Sequence, residues 1–169
     1  NGHPVIVNDI LYSNVVAYHA WLGYGEYNSE KITRTLKELN GLKSSEICEN
    51  YFSRIYGEKY FSIDCAKKIG YIREYIELHK RKFSEREYYI LLTSLLYATD
   101  RVANTVGHFE YFLKQQPKNE RLVLQDLKIS PTAQTQIFNM DANILATQIN
   151  ADVVYIDPPY NARQYVNFY

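Results

Sequence analysis

Residues 157–160 read Asp-Pro-Pro-Tyr and follow four apolar residues, Val153 to Ile156. An acid, two residues without a backbone N–H and an aromatic ring form a stiff corner that offers acceptors only. Such a corner suits the handling of an exocyclic amino group on a flat heterocycle such as a nucleobase. That nitrogen is a poor nucleophile, because its lone pair is delocalised into the ring. The Asp157 carboxylate and the Pro158 carbonyl can accept its two hydrogens, draw it toward a tetrahedral shape and aim the lone pair outward. Pro159 keeps the turn rigid, and Tyr160 offers a face on which the ring can stack.

Two further acids occupy comparable places. Asp9 closes the short β-branched run PVIVND (4–9), and Asp141 follows the run QIFN (136–139). In open parallel sheets, ligands bind at the carboxyl ends of the strands, where the loops splay apart. Aspartates after strands also serve as turn residues and helix N-caps, and Asp141, ahead of ANILATQI, fits a cap equally well.

The elements that must hold these residues follow from hydrophobic periodicity. PVIVND predicts a buried parallel strand. TQIFNMDANILATQINADVVYIDPPY (135–160) predicts a strand at Gln136 to Asn139, a helix, and a second buried strand at Val153 to Ile156. That is a βαβ unit with parallel strands. The long stretch between is helical in character. Leu11, Val15, Tyr18 and Leu22 share one face of a helix that stops at Gly23. SEKITRTLKELNG places Ile32, Leu36 and Leu39 in register between a serine start and an Asn40-Gly41 stop. Ile69, Ile72 and Ile76 follow a Ser62 cap. A further helix opens with a capping box, Ser84 and Glu87, and its apolar positions run through Leu91, Leu92, Leu95, Leu96, Val102 and Val106. The expected architecture is an α/β sheet interrupted by a helical insertion of more than a hundred residues.

Bulk composition narrows the class. The 169 residues suffice for about one domain, and 46% hydrophobic with 22% charged content is ordinary for a globular chain. The formal net charge is zero, so no global field points to nucleic acid or membrane, and any basic surface must be local. The 17 tyrosines can stack and hydrogen-bond but name no function. Cys48 and Cys65 lack metal-ligand spacing and read as two reduced thiols of a cytoplasmic protein, with no metal site expected. No apolar run reaches the ~18 residues of a membrane span, and no signal peptide is visible. The chain opens on an asparagine and reads as a piece of a longer protein.

Basic residues come in groups: Lys67 and Lys68; Lys80, Arg81 and Lys82; Lys114, Lys118 and Arg121. Such groups are commonly solvated faces, and together they could contact phosphates. Asn104, Thr105, Gly107 and His108 lie past the long helix, where polar side chains could reach bases. A helix-end cap at Asn104 and a satisfied core histidine at His108 are the plainer readings.

VVYIDPPYNARQY (153–165) resembles the catalytic motif of adenine-specific DNA methyltransferases, in particular those like DNA adenine methylase and the type II restriction-modification methylases. VIVNDI is similar to that family's second strand, and IFNMDAN to a segment bearing another cofactor acid. RVANTVGHFEYFL (101–113) resembles a loop the family uses near its target and DNA. The resemblance implies a partial Rossmann-like class I methyltransferase sheet with a large helical insertion. Parts 1–22 and 132–169 would belong to the S-adenosylmethionine-dependent catalytic domain, and 23–131 to the DNA-recognition insertion. It implies that Asp9 holds the ribose hydroxyls of S-adenosylmethionine and Asp141 the cofactor's adenine amino group. Asp157, Pro158, Pro159 and Tyr160 would act on a flipped adenine in double-stranded DNA. Asn104, Thr105, His108, Lys80, Arg81 and Lys82 would contact the DNA. The setting it implies is bacterial cytoplasm at the nucleoid, with no membrane and with a cognate restriction endonuclease in the same system.

The family's glycine-rich FxGxG strand-turn does not occur here; GYGEY (23–27) has the glycine spacing but follows a helix. The chain alone is therefore expected to bind cofactor weakly. Methylation of cytosine amino groups or of RNA would use a related corner, and the family's cytosine members favour serine where Asp157 stands. A catalytically silent DNA-recognition subunit of the same fold is the reading from a different class. The missing glycines favour it, while the three acids oppose it.

Overall fold

Strand β1 (Val5–Asn8) lies beside β2 (Thr135–Phe138) in the computed structural model, which describes residues 3–118, 120–129 and 134–157. The pairing is parallel, as expected, with Val5 opposite Thr135 and Asn8 opposite Phe138. Parallel strands need a long crossover, and here the whole helical body supplies it. The two strands are half-buried rather than buried, with Val5 42% exposed. Among the described residues each has a single strand neighbour, and α1 (Tyr12–Leu22) packs against β2.

The third expected strand does not form. Val153, Val154, Tyr155 and Ile156 are 66–87% exposed. A strand exists only where its backbone groups meet those of a neighbour, and no described residue pairs with 153–156 in a ladder. The anticipated βαβ unit is thus reduced to β2 and the short helix α6 (Ala142–Ala146). The described fold is mixed α/β, with a small parallel sheet and a larger helical part.

Four helices besides α1 build that part: α2 (Ser29–Gly41), α3 (Tyr51–Tyr56), α4 (Ile63–Leu78) and α5 (Glu85–Arg101). Their starts follow sequence chemistry. Ser62 accepts from Cys65 N, and the Ser84–Glu87 capping box is complete. Asn28, one residue before the expected serine start, caps α2. The core unites Ile32, Leu36 and Leu39 of α2 with Ile69, Ile72 and Ile76 of α4 and with Ile90, Leu91 and Leu95 of α5. Helix α1 buries Val15, Val16 and Ala20 most deeply, whereas Tyr18 and Leu22 of the expected face are only half-buried. It is covered by β2 and by α5, so burial spreads around its circumference. The apolar run expected to extend to Val106 also ends early. Helix α5 stops at Arg101, and Val106 is 66% exposed in the loop beyond.

Residues 120–129 have no regular structure yet insert Leu122, Leu124 and Leu127 into the core. Side chains satisfy their backbone. Asn40, expected only as a stop, donates to Leu124 O (2.9 Å) and accepts from Leu124 N (2.8 Å). Ser94 donates to Gln125 O, and the Cys65 thiol to Glu120 O.

Glu87 is the buried polar junction of α2 and α5. Its carboxylate accepts from Lys31 Nζ (2.5 Å), Asn28 N (3.0 Å) and Ser84 N (2.9 Å) while the residue is 4% exposed. Burial alone would raise its pKa. The bonds from Lys31, Asn28 and Ser84 outweigh that and hold the carboxyl below its usual value. A depressed folded pKa gives stability that is complete above the unfolded value near 4.5 and is lost as pH falls through the folded value. Replacing Glu87 by glutamine is expected to cost about 2 kcal/mol at neutral pH. The deficit against wild type should shrink as pH drops below about 4. Urea unfolding across that range measures it; a pH-independent deficit would contradict the assignment.

Candidate functional site

The carboxyl ends of β1 and β2 carry Asp9 and Asp141. Asp9 is half-buried; Oδ1 accepts from Leu11 N and Oδ2 from Asn14 Nδ2, both at 2.8 Å. The neighbouring Tyr18 hydroxyl is pushed up by its burial first, and then by the charge and hydrogen bond of Asp9. Asp141 realises the cap reading: it is the N-cap of α6, and Oδ1 accepts from Asn143 N at 2.7 Å. That backbone bond is the main reason its carboxyl sits below the ordinary range, so it stays an ionised acceptor at the surface. A carboxylate has about four acceptor positions, so capping and ligand contact are compatible.

Two asparagines that the sequence did not mark lie beside these acids. Asn8, the last residue of β1, donates to Met140 O (3.0 Å) and accepts from Met140 N (3.1 Å). Asn139, just past β2, donates from Nδ2 to Asp9 O (2.8 Å) and Ile10 O (3.1 Å). A polar residue ending each of two neighbouring strands was the available signal.

Asp157 follows the exposed 153–156 stretch rather than the end of a paired strand, and is itself exposed. Pro158, Pro159 and Tyr160 lie outside the described residues.

At the far end of α5 the loop 102–113 begins. Asn104 is 7% exposed, and its amide nitrogen donates to Lys59 O, Leu113 O and Gln115 O, each at 3.0 Å. Its backbone N–H reaches Tyr60 O, and its carbonyl accepts from Leu113 N. Asn104 points inward and fastens the loop's two roots, rather than standing at the surface as a base reader would. Thr105 pairs across the loop with Phe112, and its hydroxyl accepts from Gly107 N. Gly107 has φ +97°, a left-handed conformation that favours glycine. His108 is half-buried. Tyr60 anchors the loop, donating to Phe109 O and meeting the Phe112 ring edge-on. Val106, Tyr111 and Phe112 are exposed on it. A cavity of about 160 Å³ at its base is lined by Arg101, Asn104, Gln115, Lys118 and Glu120, among others.

Lys80, Arg81 and Lys82 form an exposed 3-10 turn ahead of α5. The Lys80 ammonium lies 4.7 Å from the Tyr88 ring centre, and the Lys82 carbonyl accepts from Lys31 Nζ. The 17 residues of α5 separate this turn from the Asn104 loop, a helix length of about 25 Å. The structure thus sets the two expected DNA-facing groups apart. Cys48 is exposed and Cys65 buried, both free. Among the described residues, no helix is long and apolar enough to cross a membrane, and no group of three His, Cys, Asp or Glu side chains could hold a metal.

Paired parallel strands followed by two acids, with a helical body as their crossover, make the described part a mixed α/β structure. The chain belongs to the D12 class N6 adenine-specific DNA methyltransferases, whose family model matches residues 1–169. It is similar to the modification methylase StsI of Streptococcus sanguinis, 36% identical over 99% of this chain and 28% of that protein. It is also similar to the type II methyltransferase M.NlaIII of Neisseria lactamica, 36% identical over 98% of this chain and 52% of that protein. The type II methyltransferase M.FokI of Planomicrobium okeanokoites is 30% identical over 99% and 28%. The chain thus spans about half or less of these relatives' lengths. No solved structure matches it.

Replacing Asn104 by alanine removes one amide that serves three carbonyls, and is expected to destabilise the fold by ~2–3 kcal/mol. Amides of residues 105–113 should also lose hydrogen-exchange protection. A variant as stable as wild type, weakened only in DNA discrimination, would assign the side chain to base reading instead.

Proposed function

We propose that the protein transfers a methyl group from S-adenosylmethionine to the 6-amino group of adenine at a specific site in double-stranded DNA. The observation that supports this best is the placement of Asp9 and Asp141 at adjacent carboxyl ends of two parallel strands, in a member of this family. The fold would be the Rossmann-like class I methyltransferase sheet, with 1–22 and 132–169 in the catalytic domain and 23–131 as the recognition insertion.

The residues fit the cofactor. Asp9, half-buried at the end of β1, would take the ribose diol, and Asp141, held ionised, the cofactor's adenine amino group. When bound, S-adenosylmethionine supplies an activated methyl group. Asp157 and the Pro158 carbonyl would accept the target amino hydrogens and orient the nitrogen, with Pro159 stiffening the turn. Tyr160 would stack on the flipped adenine. Arg81 and Lys82 would contact phosphates at one end of α5, with Lys80 partly held by Tyr88. Thr105 and His108 would face bases at the other end, on a loop whose roots Asn104 fixes. The reaction would take place in the bacterial cytoplasm, with a cognate restriction endonuclease cutting the unmethylated site.

In the full-length enzyme, Asp157→Ala is expected to lower methyl transfer at least ~100-fold with cofactor affinity retained. Asp9→Ala should weaken S-adenosylmethionine roughly ten- to hundredfold with DNA binding spared. Calorimetric titration and single-turnover rates separate the two, and an Asp157→Ala enzyme that keeps most of its rate would sink the catalytic role. Changing Arg81 and Lys82 together to alanine should weaken all duplexes alike. The slope of log affinity against log salt should become shallower by about 0.9 for each phosphate no longer neutralised. An unchanged slope would make this turn a solvated face.

A further inference from the structure

We infer that Asn8 and Asn139 are positioning residues that fix the spacing of Asp9 and Asp141, and so set cofactor affinity; this rests on the reading of both acids as cofactor ligands. The bonds are crossed. Asn8 at the end of β1 grips both backbone groups of Met140, the residue before Asp141. Asn139, past the end of β2, grips the carbonyls of Asp9 and Ile10. The regular ladder stops at Asn8 and Phe138, leaving only Asp9 N to reach back to Phe138 O at a long 3.4 Å. Beyond that point four side-chain bonds, two in each direction, tie the two acid-bearing turns together.

A ligand with a hydroxyl pair at one end and an amino group at the other must meet both acids at one fixed separation. Small misplacements of a polar ligand-binding pair lose affinity steeply. The amides do not touch the ligand; they determine where the carboxylates that do are standing. Asn139 is exposed, so its loss removes no buried packing.

In the full-length enzyme, Asn139→Leu should raise the dissociation constant for S-adenosylmethionine about tenfold by calorimetric titration. The turnover number at saturating cofactor should stay unchanged. Asn139→Gln, which keeps the donor, should recover most of the affinity. A merely structural role would instead lower the melting temperature without cofactor and reduce the binding-competent fraction at constant affinity. Should Asn139→Leu fail to fold, Asn8→Asp carries the test. It keeps the acceptor for Met140 N, loses the donor to Met140 O, and should weaken cofactor several-fold. If Asp9→Ala weakens the cofactor while the asparagine variants bind within twofold of wild type, this inference alone is overturned. If Asp9→Ala and Asp141→Ala both leave cofactor binding intact, the reading of the acids falls and the inference with it.

Discussion

Everything in this chain is arranged around one short ladder. Four residues of β1 meet four of β2, and the two segments are separated in sequence by nearly all of the helical body. Two strands, all that the described residues contribute to the sheet, are marginal in water by themselves. This pair persists because α1, directly after β1, packs on β2 and on α5. The same helix thus ties the sheet to the hydrophobic core and places Tyr18 against Asp9. Were the register to slip by one residue, every side chain of the shifted strand would change face and the acids would part.

Where regular pairing gives out, asparagine takes over. A primary amide carries a donor and an acceptor side by side, as a peptide group does, so it can continue a ladder that the backbone cannot. Asn40 does this for Leu124 in the irregular 120–129 segment, and Asn8 for Met140. Asn50 caps α3, and its amide nitrogen reaches Lys67 O on α4. Gly70 leaves room for it, since a Cβ there would lie 2.2 Å from Asn50 Oδ1. Asn104 joins three carbonyls. Aspartate in these places would turn a donor into a repelling charge, and leucine would leave buried carbonyls unpaired.

The legible part of the fold is the part whose causes are local. The Ser84–Glu87 box, the Ser62 cap and the spacing of Ile69, Ile72 and Ile76 are written within one or two turns of helix, and the structure has each of them. That β1 and β2 are strands of a parallel sheet was legible from two short apolar runs, each followed by an acid; that they pair with each other was not. Val153 to Ile156 reads the same way, yet no described strand lies beside it. Its apolar pattern is identical whether or not a neighbour is present, so sequence alone could not separate the cases. The inward setting of Asn104 was not legible for a related reason. A polar residue after a helix looks exposed unless its partners, here Lys59, Leu113 and Gln115, are known to surround it. The acids past the strand ends were legible as types and positions; the asparagines that hold their turns were not, because their partners lie about 130 residues away.

The helical crossover has a bearing on the order in which the chain assembles. Closing a flexible loop of well over a hundred residues costs on the order of 4 kcal/mol of chain entropy before any contact compensates. A body of helices built on neighbouring contacts forms quickly, and once formed it brings the two strands near each other. The ladder then snaps shut as a late clasp on an assembled body. By the same logic it is the first part to open, so the acid-bearing strand ends can breathe while the hydrophobic interior stays closed.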